Sequence, residues 1–201
     1  MATYKSERIH LRPLSTSDVN ERYLSWLKNQ TVNAYLEVDG NELKLSDIEE
    51  YILEGPRRGD YFMYAICLNE NNLHIGNVKV GPINKKHLIS DLPVVIGDPS
   101  YWGKGLAVEA IKLGNKIAFE EHGIRKLHGQ IYRNNLGSIK AYCRGGWIIE
   151  GVIRGRYLSD GEAMDQVMVS CNNPKFFPSE HDAYNLDQLK ELQEFRKQAL
   201  S

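Results

Sequence analysis

The 201-residue sequence is short of several things at once. No apolar run approaches the ~18 residues of a membrane-spanning helix. The first thirty residues are interrupted by Lys5, Glu7, Arg8, Arg12, Asp18, Glu21 and Arg22, which leaves no room for a signal-peptide core. Lysine plus arginine (25) and aspartate plus glutamate (26) nearly cancel, so no basic field favours a nucleic acid. Cysteine is scarce, and Cys67, Cys143 and Cys171 are odd in number, far apart and without metal-ligand spacing. That excludes a disulfide scaffold or zinc finger and fits a reduced, cytoplasmic compartment. The six histidines share no ligand spacing either, and no metal is expected. No repeat or linker-like tract occurs before about Cys171. The expectation is one soluble domain over residues 1–172, with 173–201 as a C-terminal extension.

What the sequence does hold is one dense stretch, Tyr101-Trp102-Gly103-Lys104-Gly105-Leu106-Ala107-Val108-Glu109-Ala110. The β-branched run Val94-Val95-Ile96, closed by Gly97-Asp98-Pro99, precedes it, and a long amphipathic segment follows. The order predicts a strand, a tight glycine turn and a helix N-terminus. Two glycines one residue apart let backbone N–H groups approach an anion, and a helix start adds unpaired amides and the positive end of its dipole. Gly-x-Gly also serves strand-to-helix connections for backbone reasons alone, so spacing by itself leaves both readings open.

Residues 8–12 alternate and end at Pro13, which predicts a first strand. Residues 15–18 offer N-caps to a helix with Val19, Tyr23, Trp26 and Leu27 on one stripe. A polar loop over 29–44 holds Tyr35, Glu37, Asp39 and Glu42. Ser46 and Glu49 form a capping-box pattern for a second helix, which Gly55-Pro56 should stop. Residues 61–68 and 73–80 flank turn chemistry and predict an antiparallel hairpin, with Gly76 marking a bulge or a close backbone approach. A third strand covers 92–96. Leu106, Ala110, Leu113 and Ile117 line the long helix, Gly114 marks tight packing, and Gly123 a cap. Residues 127–132 read as a strand, Ser138 as the N-cap of a short helix over 139–144, and Gly145-Gly146 as its end. Segments 147–152 and 163–171 are the last strands, joined through Ser159-Asp160-Gly161. Leu186, Leu189, Leu192 and Phe195 mark a terminal amphipathic helix that could cap the core or close a homodimer. The fold class is mixed α/β (α+β).

That order, with residues 94–110 and 134–147, resembles the GNAT N-acetyltransferase superfamily over about residues 7–171, in particular its ribosomal-protein-acetylating and bacterial amino-sugar branches. The resemblance implies a central, mostly antiparallel twisted sheet split by a V-shaped opening, with helices on both faces. It also implies acetyl-CoA as co-substrate in that split, its pyrophosphate on the turn before the long helix. The superfamily pattern there is Gln or Arg, two residues, Gly, one residue, Gly or Ala; Trp102, Gly103, Lys104, Gly105, Leu106 and Ala107 occupy it here. Trp102 departs from the pattern, which removes a side-chain donor and leaves the backbone amides to bind. Asn135-Leu136-Gly137-Ser138-Ile139-Lys140-Ala141-Tyr142, followed by Gly146-Trp147, is similar to the family's Asn-x-x-Ser…Tyr…Gly-Phe segment. By that resemblance Asn135 hydrogen-bonds the pantetheine arm, Ser138 caps the short helix and Tyr142 protonates the departing thiolate. Tyr142 also reads as an aromatic packed under the helix with its hydroxyl on a backbone group.

Acyl transfer from a thioester to an amine needs a neutral amine, a stabilised oxyanion and a proton for the thiolate. No Gly-x-Ser-x-Gly elbow or Cys/His signature points to a covalent enzyme intermediate. A backbone N–H near Val95 or Ile96 is expected to hold the thioester oxygen. Asp91 at a strand start, and Glu37, placed over the acceptor cleft by resemblance, are candidate bases, though each also reads as a solvated carboxylate. His87 and His128 read as structural. The acceptor cleft is expected between the loop with Glu37, Asp39 and Glu42 and the last hairpin with Arg154, Arg156 and Tyr157. Acid for an ammonium and arginine for a phosphate suit an amino-sugar nucleotide of surface-glycan biosynthesis. The segment Tyr23-Leu24-Ser25-Trp26-Leu27-Lys28-Asn29 resembles the start of such enzymes, and of relatives that acetylate protein N-termini. The alternatives are therefore a ribosomal-protein N-terminus and, in a different class, an idle acyl-CoA-binding regulatory module.

Overall fold

The computed structural model describes residues 4–36, 38–159 and 161–177. Glu37, Asp160 and the helix read over 186–195 lie outside them. Strands β1 (Tyr4–Lys5) and β2 (Ile9–Pro13) open the chain, followed by helices α1 (Glu21–Lys28), α2 (Gln30–Asn33) and α3 (Leu45–Arg58). The hairpin β3 (Phe62–Leu68) and β4 (His74–Val80) leads through β5 (Ile83–Asn84), β6 (Ile89–Asp91) and β7 (Val94–Ile96) to α4 (Leu106–Glu120). Then come β8 (Lys126–Tyr132), α5 (Leu136–Arg144), β9 (Ile148–Ser159) and β10 (Glu162–Asn172).

Several helix ends differ from expectation because another side chain reaches the free amide first. Asn20, not a residue of 15–18, caps α1 by accepting from the Tyr23 N–H at 3.0 Å. Residues 15–18 instead close a short 3-10 turn, in which Ser15 N–H donates to the Asp18 carboxylate and the Arg12 guanidinium forks onto it. Asn29 ends α1 and caps α2, so the expected polar loop begins with a turn of helix. At α3 it is Asp47 that accepts from the Lys44 N–H, at 2.8 Å, and the Ser46/Glu49 box does not form. Gly55-Pro56 does not stop α3, which runs on to Gly59 at φ 66°. Pro56 removes a single N–H in the last turn, where the loss is small.

The strands form two five-stranded sheets, β1-β2-β3-β4-β7 and β5-β6-β8-β10-β9. Every pairing is antiparallel except β6 with β8. The expected strand 92–96 is shortened to Val94–Ile96, and a separate strand that was not expected precedes it. Residues 89–91 belong to the second sheet and 94–96 to the first, with Leu92 and Pro93 crossing between them. The split arises because β7 stays on β4 while β8 stays on β10, and the two pairs diverge beyond Asp91 and His128.

Helix α4 packs its stripe of Leu106, Ala110, Leu113 and Ile117 under both sheets, against Ile66, Val78, Leu127 and Ile131 among others. Each leucine, isoleucine and valine among these contributes about 1.5–3 kcal/mol by burial. A Cβ at Gly114 would sit 3.0 Å from Val78 and 3.2 Å from Leu92, the tight packing expected of it. On the opposite face of the first sheet, Tyr23, Trp26, Val32, Ile48 and Ile52 of α1–α3 cover Ala65 and Cys67. Gly76 meets both expectations at once. The β3–β4 register slips beside it, between Ile66 and Cys67, and a Cβ there would lie 2.1 Å from the Val95 carbonyl oxygen. Gly76→Ala is therefore expected to force β7 off β4 and lower stability by at least about 1–3 kcal/mol. A urea midpoint equal to wild type would show that the two strands do not approach so closely.

Candidate active site

The parallel pairing of β6 with β8 ends at Asp91 and His128. From there Val94–Ile96 pairs only with β4, and the stretch 129–132 pairs with β10, so a gap opens between β7 and β8. Strand alternation fixes which backbone groups face it. Lys79 N–H donates to Pro93 C=O and Gly97 N–H to Ile75 C=O, both at 2.9 Å, and Asn77 faces Val95 between them. The antiparallel alternation therefore turns the Val95 amide into the β4 ladder and leaves the Val94 and Ile96 amides toward the gap. Of the two residues expected to offer an oxyanion donor, Ile96 turns its amide to the gap and Val95 turns its amide to β4.

The glycine turn closes one end of this gap. Gly103 and Gly105 have φ of 72° and 78°, the left-handed region where glycine is at no disadvantage. Neither is crowded: a Cβ at Gly103 would meet nothing within 4 Å, so conformation, not space, demands glycine. Gly105 occupies the N-cap of α4 without a side-chain cap, and its carbonyl takes only the Val108 and Glu109 amides. Leu106 and Ala107 thus present their N–H groups in an uncapped first turn. Lys104 lies over the Tyr101 ring at 5.1 Å, and its carbonyl accepts from the Arg8 guanidinium at 2.8 Å. Arg8 also grips Glu109 at 2.6 Å, and Ser6 reaches the same carboxylate at 2.7 Å. Partial burial works to raise the Glu109 pKa, yet hydrogen bonds from Ser6 and from the Arg8 amide and guanidinium hold it below the ordinary value. This brace to the connection between β1 and β2 fixes the turn, and nothing in the spacing of Arg8 and Glu109 announced it. The Trp102 indole N–H donates to the Ile96 carbonyl at 2.7 Å, so this departure from the family pattern ties the turn to the end of β7.

From the other side α5 brings Tyr142 to the apex. The phenol is buried, packs edge-on to Trp147 at 4.7 Å, and donates its hydroxyl to the Leu92 carbonyl at 2.5 Å. Burial pushes its pKa well above the tyrosine range; the Val94 N–H opposes that and the Asp91 charge adds to it. The hydroxyl therefore keeps its proton at neutral pH. The expected cap changes hands: Asn135, not Ser138, caps α5 by accepting from the Ser138 N–H at 3.1 Å. An asparagine at the true N-cap outcompetes a serine already inside the first turn. Buried Asn115 of α4 joins these pieces, accepting from the Trp147 indole at 3.0 Å and donating to the Gly145 carbonyl at 3.3 Å.

On the sheet face away from α4 and α5, Asp91 and His128 meet at 2.9 Å. The contact has the distance of an ion pair without the direction of a linear hydrogen bond. Contact with Asp91 raises the His128 pKa, against burial and the Lys126 charge and with help from Glu150. Lys126 pairs with Glu150, which also accepts from Ser170 at 2.7 Å. Further along this face Tyr132 stacks on Tyr157 at 3.8 Å, and Tyr35 leans on Tyr132 at 5.4 Å. Tyr132 of β8 thus bridges the loop after α2 and the last hairpin, with Asp39 and Glu42 exposed on one and Arg154 and Arg156 on the other. Among the described residues no group of three or more His, Cys, Asp or Glu could hold a metal ion, and no helix is long and apolar enough to cross a membrane.

The family model described as "Acetyltransferase (GNAT) domain" matches residues 8–147. A curated relative, the probable N-acetyltransferase YjcK of Bacillus subtilis, is 22% identical over 179 residues, covering 85% of this chain and 97% of that protein. Among solved structures, a spermidine N-acetyltransferase from Vibrio cholerae in complex with CoA and spermine shares the fold with a TM-score of 0.75 at 19% identity, over 84% of this chain and 98% of the other. Ribosomal-protein-S5-alanine acetyltransferase from Vibrio fischeri does so with a TM-score of 0.73 at 15% identity, over 88% and 99%.

Proposed function

Because the chain belongs to the GNAT acetyltransferase family, we propose that it transfers an acetyl group from acetyl-CoA to a primary amine by direct attack. The observation that carries this is one gap with uncapped amides at its mouth and a protonated tyrosine at its apex. In this reading the backbone of Gly103, Lys104, Gly105, Leu106 and Ala107 holds the pyrophosphate, and Asn135 borders the pantetheine arm. The Ile96 amide receives the thioester oxygen. The ammonium gives up one proton on the acceptor side, where Asp91 stands beside His128, and its nitrogen forms the bond to the acyl carbon. The carbon–sulfur bond then breaks with its electron pair on sulfur, which takes the Tyr142 proton; the second amine proton restores the phenol. Glu37 keeps its reading as a carboxylate over the incoming ammonium. Residues 1–172 form the catalytic domain, 173–201 an appended segment, and the site of action is the cytoplasm.

For the acceptor we favour an amino-sugar nucleotide. Arg154 and Arg156 suit a diphosphate, and the Tyr132–Tyr157 stack offers flat apolar faces to a base or sugar. A polyamine is the second reading, favoured by Asp39 and Glu42 on the facing loop and by the spermine in the complex of the Vibrio cholerae structure. Thiol release from acetyl-CoA by the full chain, with a uridine-diphosphate amino-sugar, spermidine and an alanine-terminated peptide, separates these. Turnover is expected with the first. Turnover confined to spermidine or to the peptide moves the acceptor to that class, and tight CoA binding without turnover for any amine makes the protein a binding module.

A further inference from the structure

Asp91 and His128 are the last residues paired across β6 and β8 before the sheets separate. Both project on the face that carries Tyr132, Tyr157 and Tyr35, opposite the buried Leu127 and Ser90. The pair therefore stands on the acceptor side of the gap, level with Leu92, whose carbonyl holds the Tyr142 hydroxyl. Both side chains are about a third exposed (36% and 35%), open enough to meet a ligand and to return a proton to water. The imidazole turns Nδ1 to the Asp91 carboxylate at 2.9 Å, which leaves Nε2 as the nitrogen for an incoming group.

We propose that His128 is the group that takes the proton from the acceptor ammonium, through Nε2, and that Asp91 is its positioning residue and counter-charge rather than the base itself. This rests on the acetyltransferase reading above and assigns its proton acceptor. In the step one N–H bond of the ammonium breaks, its electron pair stays on nitrogen for attack, and the proton becomes the imidazolium N–H beside the Asp91 carboxylate. His128 then releases that proton to solvent, one per turnover. A carboxylate 2.9 Å from Nδ1 stabilises the imidazolium as it forms, which a solitary histidine on a strand would lack. The other charged groups facing the ring are Lys126 on the same strand and Glu150 on β9; they pair with each other and largely offset, so Asp91 dominates.

A base must be unprotonated to act, so activity should rise with pH through the His128 pKa, which lies above the ordinary histidine value of about 6.5. The test follows kcat/KM against pH for the full chain with its best amine from the panel above, in wild type, His128→Gln and Asp91→Asn. His128→Gln is expected to lose about 10²-fold near neutrality and to lose the acidic limb. Asp91→Asn should retain the limb but move it to lower pH, because the imidazolium has lost its counter-charge. An acidic limb that survives in His128→Gln and vanishes in Asp91→Asn would make the carboxylate the base and overturn the assignment. The imidazole titration of the free protein, followed by NMR with the His128 signal identified by its loss in His128→Gln, gives a readout independent of turnover. A midpoint that is the same in wild type and Asp91→Asn would likewise overturn it. Absence of turnover with every amine would count against the acetyltransferase reading itself, while the NMR comparison still decides the pair.

Discussion

Tyr142→Phe is expected to lower kcat with acetyl-CoA by about 10²- to 10⁴-fold, the range of a lost general acid. The substitution removes one oxygen and keeps the ring, so the edge-on contact with Trp147 at 4.7 Å persists. It also strips the Leu92 carbonyl of its donor at 2.5 Å, and a buried acceptor left unpaired costs about 1–3 kcal/mol. Lower activity could then follow from either loss. The leaving group separates them. A thiolate from an aryl thioester needs no proton to depart, so an acid role predicts that the deficit largely disappears with such a donor. A structural role predicts the same deficit for both donors, matched to the loss in unfolding free energy. The pH profile gives a second reading. An acid must carry its proton, and burial has raised this one above the ordinary tyrosine value near 10, so the phenol should cause no fall in wild-type kcat up to about pH 9.

The parts of this site that were legible in the sequence are those fixed by backbone chemistry. Gly103 and Gly105 announced a tight turn between strand and helix, and both sit there at positive φ. Gly76 and Gly114 announced close approach, and a Cβ at either would press on a neighbour. The long helix stripe from Leu106 to Ile117 is buried as its periodicity requires. Partner choice was not legible. An apolar run at 92–96 looks the same whether its neighbours are β4 or β8, so the crossing at Leu92 and Pro93, which creates the gap, could not be read from the run itself. Caps failed for a related reason. Asn20, Asp47 and Asn135 each compete with a nearby Ser or Glu, and the winner depends on where the helix actually starts. His128 was passed over because its significance lies in Asp91, thirty-seven positions earlier, which only the parallel pairing of β6 and β8 brings to 2.9 Å.

Gly105→Val should weaken acetyl-CoA binding by about 10²- to 10⁴-fold. Valine at φ 78° is strained, since its Cβ crowds the following carbonyl, at a cost of roughly 1–2 kcal/mol in the fold. The chain can escape by turning the peptide planes of the turn, and the Leu106 and Ala107 amides then no longer converge. Two hydrogen bonds to a charged group are worth about 1.5–3 kcal/mol each, and every 1.4 kcal/mol is tenfold in affinity. Space is not the obstacle, because the nearest atom to a Cβ at Gly105 is the Arg8 guanidinium at 3.5 Å. The Arg8 brace on Lys104 and Glu109 would also hold the helix start in place, so the damage should stay local. Acetyl-pantetheine, which has the thioester and the arm but no pyrophosphate, is the decisive control. If the turn binds the pyrophosphate, the variant loses acetyl-CoA and treats acetyl-pantetheine as wild type does. Equal loss with both donors would mean that the glycine serves the connection from β7 to α4 and not the ligand, the reading that Gly-x-Gly spacing alone had left open.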